Sequence, residues 1–239
     1  MKFIDLLTEG INDKFLFKAI FLAGGPGSGK SFINKQMFGG IQAKVINSDD
    51  IFERKLKSNN IPLTIDDKKV EQYKKQMELR GQAKKLTQAK QNLFINGMLP
   101  IIIDGTGREY DKIKNKQQAL SQMGYDTGLV FVNTSLDVAK ERNLKRARTV
   151  PDNIITNAWN AVQQNIGKFQ SLFKNSFTVI DNNDVLDKKG IDKLGIALHR
   201  KALKFFNTPV QNARGKATLE LLTKLKGKTL SDLPDGLIE

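Results

Sequence analysis

Apolar runs of about five residues recur along the chain and alternate with longer stretches that carry apolar residues on one helical face. A short apolar run bounded by polar or turn residues is typical of a strand buried in a parallel sheet. Five segments have this pattern: residues 19–23, 43–47, 100–104, 128–133 and 176–180. Strands that alternate with helices predict an α/β fold, in which a parallel sheet of about five strands has helices on both faces.

The stretches between these runs predict helices. One begins near Asp50, a long basic helix covers about residues 68–97, and others cover residues 109–123, 136–147 and 153–172. Apolar residues at helical spacing indicate which faces of two of these helices are apolar. In the long helix these are Val70, Tyr73 and Met77 on one face and Leu86, Ala89 and Leu93 on another; in the helix over 153–172 they are Ile155, Trp159, Val162 and Ile166.

The two ends of the chain differ from its middle. Residues 1–16 predict a short helical segment, and residues 17–185 contain all the predicted strands. Residues 186–239 predict a small C-terminal helical appendage, with an amphipathic helix from Ile191 to Phe205 and a shorter one over 216–226. The chain's single histidine, His199, lies in this appendage, and we expect it to have a structural or solvent-facing role.

The composition limits the classes of protein to consider. There are no cysteines, which excludes disulfides and thiolate metal sites, and no apolar run approaches the roughly 20 residues of a membrane span. The N-terminus lacks the layout of a signal peptide, so we expect a cytoplasmic protein without a membrane partner. Lys and Arg outnumber Asp and Glu by 39 to 25, a net charge of +14, which attracts polyanions such as nucleic acid or simply keeps a lysine-rich surface soluble.

The segment Gly24–Ser31 matches the pattern G-x-x-x-x-G-K-[ST] at every position, between a predicted strand and a predicted helix. Glycines let successive backbone N–H groups point at phosphate oxygens, and the following helix adds its positive N-terminus. The sequence therefore predicts a phosphate-binding loop (P-loop) and an ATP site in a P-loop NTPase-type fold. The residues expected to bind the nucleotide are Gly25, Pro26, Gly27, Ser28, Gly29, Lys30 and Ser31. Lys30 can reach the β- and γ-phosphates, and the Ser31 hydroxyl can bind Mg²⁺.

Carboxylates follow the second and third predicted strands, at the edge of the sheet where ligands collect. Asp104 ends an apolar strand and can hold Mg²⁺, although an ordinary strand-terminal acid is the alternative. The next residue is Gly105 and not the glutamate of many motor ATPases. Asp49 or Asp50 is the candidate general base for transfer of a phosphoryl group to an alcohol, and one of the two can instead cap a helix.

Arginines follow the fourth predicted strand. Arg142 and Arg146 are four residues apart and share one helical face, with Arg148 close behind. Guanidinium groups suit the charge that develops on a transferring phosphoryl group. A basic surface helix is the other interpretation.

Together these motifs resemble the P-loop kinases of the polynucleotide-kinase and zeta-toxin-like group, which bacteriophages often encode. The segment Ile46–Asp50 is similar to an Asn-x-Asp-Asp motif whose first aspartate is the base, which implies that role for Asp49. Residues 142–151 look like the lid of these kinases, whose second arginine contacts ATP, and this implies that role for Arg146. The resemblance covers about residues 17–182 and implies ATP and Mg²⁺ as cofactors, in a host cytoplasm if a phage encodes the protein.

On the acceptor side the chain departs from the polynucleotide kinase. Phe52 replaces an arginine that binds a substrate phosphate, although Arg54 is nearby. The segment Asp104–Arg108 is closer to zeta-toxin-like patterns. Asp50, Arg54 and Arg108 are the candidate substrate contacts. We therefore expect a kinase acting on a hydroxyl, first a nucleic-acid 5′-hydroxyl; the alternatives are a nucleotide, nucleotide-sugar or other small-molecule acceptor, or a nucleic-acid-binding ATPase.

Overall fold

The computed structural model describes residues 14–64, 69–145, 151–184 and 187–225. In this part of the chain five parallel strands form one sheet in the order β2-β3-β1-β4-β5, which confirms the predicted fold class. The strands are β1 Lys18–Ala23, β2 Lys44–Ile46, β3 Ile101–Asp104, β4 Asp126–Asn133 and β5 Phe177–Asp181. All five lie within the apolar runs of the sequence or extend them by one or two residues.

Helices connect the strands as the alternating pattern predicts. They are α1 Lys30–Phe38, α2 Ser48–Ser58, α3 Val70–Asn96, α4 Tyr110–Gln122, α5 Leu136–Leu144, α6 Asp152–Gln163, α7 Ile166–Phe173, α8 Lys188–Asn207 and α9 Ala213–Leu225, with a short 3₁₀ turn at Lys174–Ser176. The prediction of one helix over residues 153–172 was wrong, because α6 ends at Gln163 and α7 begins at Ile166. Between them, the Asn165 side chain donates hydrogen bonds of 3.0 Å to the carbonyl oxygens of Gly107 and Arg108.

Both faces of the sheet are covered by apolar side chains. β1 is the central strand and every one of its residues is buried. Alternate residues of a strand point to opposite faces. Phe21 therefore packs in one core with Phe131 of β4 and Phe169 of α7, while Leu22 packs in a second core on the other face.

The second core is completed by the C-terminal helix α8. Leu198, Ala202 and Phe206 are buried there together with Ile33 and Met37 of α1. The ring nitrogen Nδ1 of His199 lies 3.2 Å from the carbonyl oxygen of Met37, so this histidine also contacts α1. The helix that follows the P-loop is thus held between the sheet and α8.

A buried ion pair lies at the amino ends of β1 and β4, at the opposite end of the strands from the P-loop. It is also where the C-terminal part of the chain is attached to the sheet. Lys18 Nζ donates to Asp126 Oδ2 at 2.7 Å, and the Lys18 side chain is almost fully buried. The two carboxylate oxygens of Asp126 also accept hydrogen bonds of 2.8 Å from the backbone N–H groups of Gln211 and Asn212, in the loop between α8 and α9.

The two apolar faces indicated for the long helix α3 do not form its buried side, so this prediction was wrong. Val70 is 56% exposed and Leu93 is 67% exposed. The helix is instead buried along Gln76, Leu79 and Ala83, where it packs against α2. The helix carries few apolar residues, and polar bonding adds to the packing: the Gln76 amide donates to the carbonyl oxygens of Pro62 and Thr64.

Residues 1–13, most of the predicted N-terminal helical segment, lie outside the described residues, and residues 14–17 form a turn. Among the described residues, no helix is both long and apolar enough to cross a membrane.

Candidate active site

The P-loop joins the end of β1 at Ala23 to the start of α1 at Lys30. Gly27 and Gly29 have φ angles of +77° and +85°, a region that favours glycine. A Cβ atom on Gly27 would collide with the backbone of Ala139 in α5, so the loop lies directly against that helix. These glycines let the loop curl tightly before α1 begins.

Lys30 folds back over the loop. Its Nζ donates hydrogen bonds to the carbonyl oxygens of Gly24 at 2.6 Å and Gly25 at 3.2 Å. Ser31 follows in the first turn of α1 and is exposed. The ammonium group and the N-terminus of α1 thus place positive charge at the end of the sheet where phosphates would lie.

Asn47, the residue after β2, connects the carboxylate of Asp104 to the backbone of Asp49. Its Oδ1 accepts a hydrogen bond of 2.8 Å from the Asp49 N–H and caps α2, while its Nδ2 donates to Asp104 Oδ2 at 2.9 Å. Asp49 and Asp50 therefore lie in the first turn of α2, and Asn47 takes the capping role that the sequence left open for one of them. The sequence predicted that the acids following β2 and β3 lie at the same end of the sheet. The hydrogen bond from Asn47 to Asp104 confirms this for Asp104 and the first turn of α2.

Asp104 is the most buried of these acids. Its pKa is raised to about 6, mainly by burial and to a smaller extent by the nearby charges of Asp50 and Asp49, while Lys30 opposes the shift. Its Oδ1 is buried and has no hydrogen-bond partner among the described residues. A buried carboxylate oxygen without a donor is the kind of atom that a divalent cation satisfies, so Asp104, with Ser31 nearby, fits a Mg²⁺ ion.

Asp50 and Arg54 lie on one side of α2. Burial raises the pKa of Asp50, and Glu53 and Asp49 add to the shift while Arg54 opposes it. Arg54 Nε lies 3.4 Å from the Asp50 carbonyl oxygen. Arg54 and Asp50 also line a small cavity of about 50 Å³ together with Thr87 and Lys90 of α3 and α2 residue Ile51.

A larger cavity of about 330 Å³ opens beside the P-loop. Ser31, Asp50 and Asp104 are part of its lining. The rest of the lining combines polar residues, among them Asn34 and Lys35 of α1, with the apolar residues Phe38, Ile41, Ala43, Val45 and Ile102. This space lies on the side of the P-loop nearest to the carboxylates.

Arg142, on α5, lies on the other side of the P-loop. Its Nη1 donates a hydrogen bond of 2.7 Å to the carbonyl oxygen of Asn182, which follows β5. The Asn182 side chain in turn donates to the Ser28 carbonyl oxygen at 2.7 Å. Arg146 and Arg148 lie outside the described residues.

The remaining predicted substrate contact, Arg108, is exposed in the loop after β3, where its backbone N–H faces Thr106 Oγ1 at 3.5 Å. It does not line either cavity described above. Trp159 is half-buried, and its indole N–H donates to the Thr134 carbonyl oxygen at 2.8 Å, which agrees with a packing role.

Sequence reasoning assigned no role to Asn47, which it noted only as part of the Asn-x-Asp-Asp motif, and missed Asn182 and Asn183. Each follows a strand at the carboxyl end of the sheet, the position that pointed to Asp49 and Asp104. Strand position was thus an available signal for them, but an amide has no charge or pKa to mark it as functional.

A family model described as an AAA domain, AAA_33, matches residues 20–169. The match begins in β1 and ends in α7, so it includes the P-loop and all three carboxylates. No curated protein sequence matches the chain.

Solved structures with the same fold include a candidate kinase from Chloroflexus aurantiacus J-10-fl, at 12% identity and a TM-score of 0.51, covering 81% of this chain and 98% of that one. A chain of the PezAT chromosomal toxin–antitoxin system of Streptococcus pneumoniae is 18% identical, with a TM-score of 0.52 and 92% of each chain covered. The AvrRxo1-ORF1:AvrRxo1-ORF2 structure with sulphate ions gives 12% identity and a TM-score of 0.53, over 95% of this chain and 85% of that one. At these identities the likeness shows the fold alone.

Proposed function

The chain belongs to the AAA_33 family of AAA domains, and we propose that within this family it is an ATP-dependent kinase that transfers the γ-phosphoryl group to a hydroxyl group. The observation that carries the proposal is the position of the larger cavity. Its lining brings together Ser31, at the start of α1, and the two acids Asp50 and Asp104. A kinase needs a space of this kind, because the acceptor must enter between the phosphates and a carboxylate.

The roles of the side chains follow from their chemistry and the family resemblance. Lys30 exchanges its carbonyl partners for phosphate oxygens, and Arg142 adds positive charge from the other side of the P-loop; the family resemblance implies that Arg146 also contacts the phosphates. Asp49 accepts the proton of the acceptor hydroxyl as the new bond to phosphorus forms and the bond to the ADP oxygen breaks. Asp50, Arg54 and Arg108 contact the acceptor.

Ser31 and Asp104 are the residues that would hold Mg²⁺. When bound, the ion neutralises negative charge on the phosphate oxygens. The protein's own contribution is to keep the Asp104 carboxylate in one orientation, which the hydrogen bond from Asn47 supports.

Our first choice of acceptor is a nucleic-acid 5′-hydroxyl. The resemblance to polynucleotide kinases supports it, as does the net charge of +14. Exposed lysines are frequent on α3 and α8 and include Lys84, Lys85, Lys193, Lys201 and Lys204.

The second candidate is a nucleotide, a nucleotide-sugar or another small molecule. The cavity of about 330 Å³ favours it, since its volume lies at the lower end of the range of about 300–1,000 Å³ for small-molecule sites. Val45 in its wall is 44% exposed, so an apolar part of an acceptor has a surface to cover.

Incubation with γ-labelled ATP and a panel of oligonucleotides, nucleotides and sugars tests the proposal. Transfer of label to any hydroxyl acceptor supports a kinase, and the acceptor identifies the class. Lys30→Ala is the matched negative control. Release of labelled phosphate to water alone, unchanged by every acceptor, would instead identify an ATPase.

A further inference from the structure

Asn182 lies between the P-loop and α5. Its backbone N–H donates to the Asn133 carbonyl oxygen at 3.0 Å, which continues the pairing of β5 with β4 by one residue. Its side-chain Nδ2 donates to the Ser28 carbonyl oxygen at 2.7 Å. Its own carbonyl oxygen accepts the hydrogen bond from Arg142. A single residue at the end of a strand therefore contacts both the P-loop and Arg142, one of the arginines expected to act on the phosphates.

The fit between these groups is close. A Cβ atom on Gly29 would collide with Asn182 Nδ2 and would lie 3.7 Å from Arg142 Nη1. A side chain at position 29 would thus displace the Asn182 amide, in addition to the strain from its φ angle. The guanidinium of Arg142 lies beside the last residue of the loop before Lys30.

The next residue, Asn183, fixes the helix that carries Arg142. Its Oδ1 accepts hydrogen bonds from the Ser135 N–H at 2.6 Å and from Thr134 Oγ1 at 3.2 Å. Ser135 in turn caps α5, since its Oγ accepts from the Val138 N–H at 3.3 Å. Asn182 and Asn183 therefore connect β5 to the P-loop and to the start of α5, respectively.

We propose that Asn182 and Asn183 are positioning residues for ATP, which set the distance between the P-loop and Arg142. The inference rests on the proposed function, because it concerns the nucleotide donor. An amide suits position 182, since it donates to a carbonyl without adding charge next to the phosphates. A carboxylate there would repel the Ser28 carbonyl oxygen and the phosphates, and it would compete for the guanidinium of Arg142.

The test is a double-mutant cycle read out as the dissociation constant of ATP with Mg²⁺, by calorimetry. Asn182→Ala and Arg142→Ala should each weaken ATP binding by about tenfold. The double variant should be no more than about threefold weaker than Arg142→Ala, because the lost bond from the Asn182 side chain to Ser28 matters mainly by fixing, relative to the P-loop, the backbone carbonyl oxygen that holds Arg142. Asn183→Ala should weaken binding in the same direction.

Asn212→Ala is the matched control. Asn212 also uses its amide to hold a loop, donating to the Ser121 carbonyl oxygen at 2.8 Å, but it lies at the other end of the sheet. This variant should lower the melting temperature and leave the dissociation constant of ATP unchanged. Asn182→Asp keeps the size of the side chain in case Asn182→Ala does not fold, and it should also weaken ATP binding.

The proposal is overturned if Asn182→Ala and Asn182→Asp affect only the melting temperature, as Asn212→Ala does. It is also overturned if the effects of Asn182→Ala and Arg142→Ala multiply fully in the double variant. A wild-type protein that binds ATP but phosphorylates no acceptor contradicts the kinase proposal and leaves this one intact. A wild-type protein that does not bind ATP contradicts both.

Discussion

Lys30 keeps its ammonium group above the P-loop by bonding to the carbonyl oxygens of Gly24 and Gly25. Phosphate oxygens carry more negative charge than these carbonyl oxygens, so the phosphates of ATP should replace them as partners of the ammonium group. Lys30→Ala removes that charge, and both ATP affinity and turnover should fall. Calorimetric titration with ATP and the transfer assay measure the two effects, and a variant that transfers phosphate at the wild-type rate would show that the P-loop assignment is wrong.

The two adjacent aspartates in the first turn of α2 should have different roles. Asp49→Asn keeps the size of the side chain but removes its ability to accept a proton. We expect the transfer rate to fall by roughly 10²–10⁴-fold while ATP affinity is retained. Asp50→Asn should have a smaller effect. If Asp50→Asn proves the more damaging in steady-state kinetics, the two roles must be exchanged.

Asp104 should lower the stability of the folded protein while it contributes to the reaction. Its pKa of about 6 in the folded protein is higher than the ordinary value of 3.8, so its charged form destabilises the fold at pH 7. Asp104→Asn should therefore abolish transfer and also raise the free energy of unfolding at pH 7, by up to roughly 3 kcal/mol. Because Asp104 is protonated in both states below about pH 4, the gain should shrink steadily as the pH falls from about 6 to 4.

Thermal unfolding at several pH values measures this effect. Asp192→Asn makes the same chemical change on the exposed face of α8 and should leave the melting temperature nearly unchanged. If Asp104→Asn is less stable than wild type at pH 7, the buried charge of Asp104 does not destabilise the folded protein and the prediction is wrong.

At the level of single residues, the sequence indicated the charged residues of the site but not the hydrogen bonds that asparagine side chains make to it. Asp49, Asp50 and Asp104 were predictable because parallel strands bring their carboxyl ends to one edge. The bonds of Asn47 to Asp104 and of Asn182 to Ser28 span 57 and 154 residues. Such contacts depend on side-chain geometry across the fold, which no local pattern encodes.

At the level of elements, α2 depends on its cap. Asn47→Ala removes both the bond to the Asp49 N–H and the bond to Asp104, and it should destabilise the protein by about 0.5–2 kcal/mol. Asn47→Ser retains a good N-cap but is too short to reach Asp104. In thermal melts Asn47→Ser should be nearly as stable as wild type, yet both variants should lose activity in the transfer assay. Full activity of Asn47→Ser would mean that the bond to Asp104 has no role.

The strands were predictable from the sequence and the packing of two helices was not. An apolar run must be buried on both sides in a covered parallel sheet, so composition alone identifies such strands. In α3, by contrast, Leu93 is exposed and Gln76 is buried, because the partner surface on α2 and the carbonyl groups of residues 62 and 64 decide which side is covered. The break between α6 and α7 likewise depends on the bonds of Asn165 to a distant loop.

At the level of the whole molecule, the positive charge can distinguish the two classes of acceptor. A kinase that holds a nucleic acid through several Lys and Arg contacts should show an acceptor KM that rises steeply with salt. The logarithmic slope should approach about 0.7 per neutralised phosphate of a single strand. A small acceptor should give a shallow slope in the same steady-state assay.

Charge reversals locate the contacts. Lys201→Glu with Lys204→Glu on α8, or Lys74→Glu with Lys75→Glu on α3, should raise KM for an oligonucleotide and leave KM for ATP nearly unchanged. Lys74 and Lys75 form exposed ion pairs with Glu71 and Glu78, so part of their charge is already compensated and the α8 pair should have the larger effect. A flat salt response with neutral reversals would favour a small-molecule acceptor.

The packing of α8 against α1 has a consequence for how the protein is made. Leu198, Ala202 and Phe206, which cover Ile33 and Met37, are synthesised roughly 160–170 residues after them. At about 5–20 residues per second, this delay is on the order of ten to thirty seconds. During that time the apolar side of the helix that follows the P-loop is uncovered on the nascent chain and is a surface for chaperones to bind. The P-loop and its helix are thus translated well before the packing that holds them is complete.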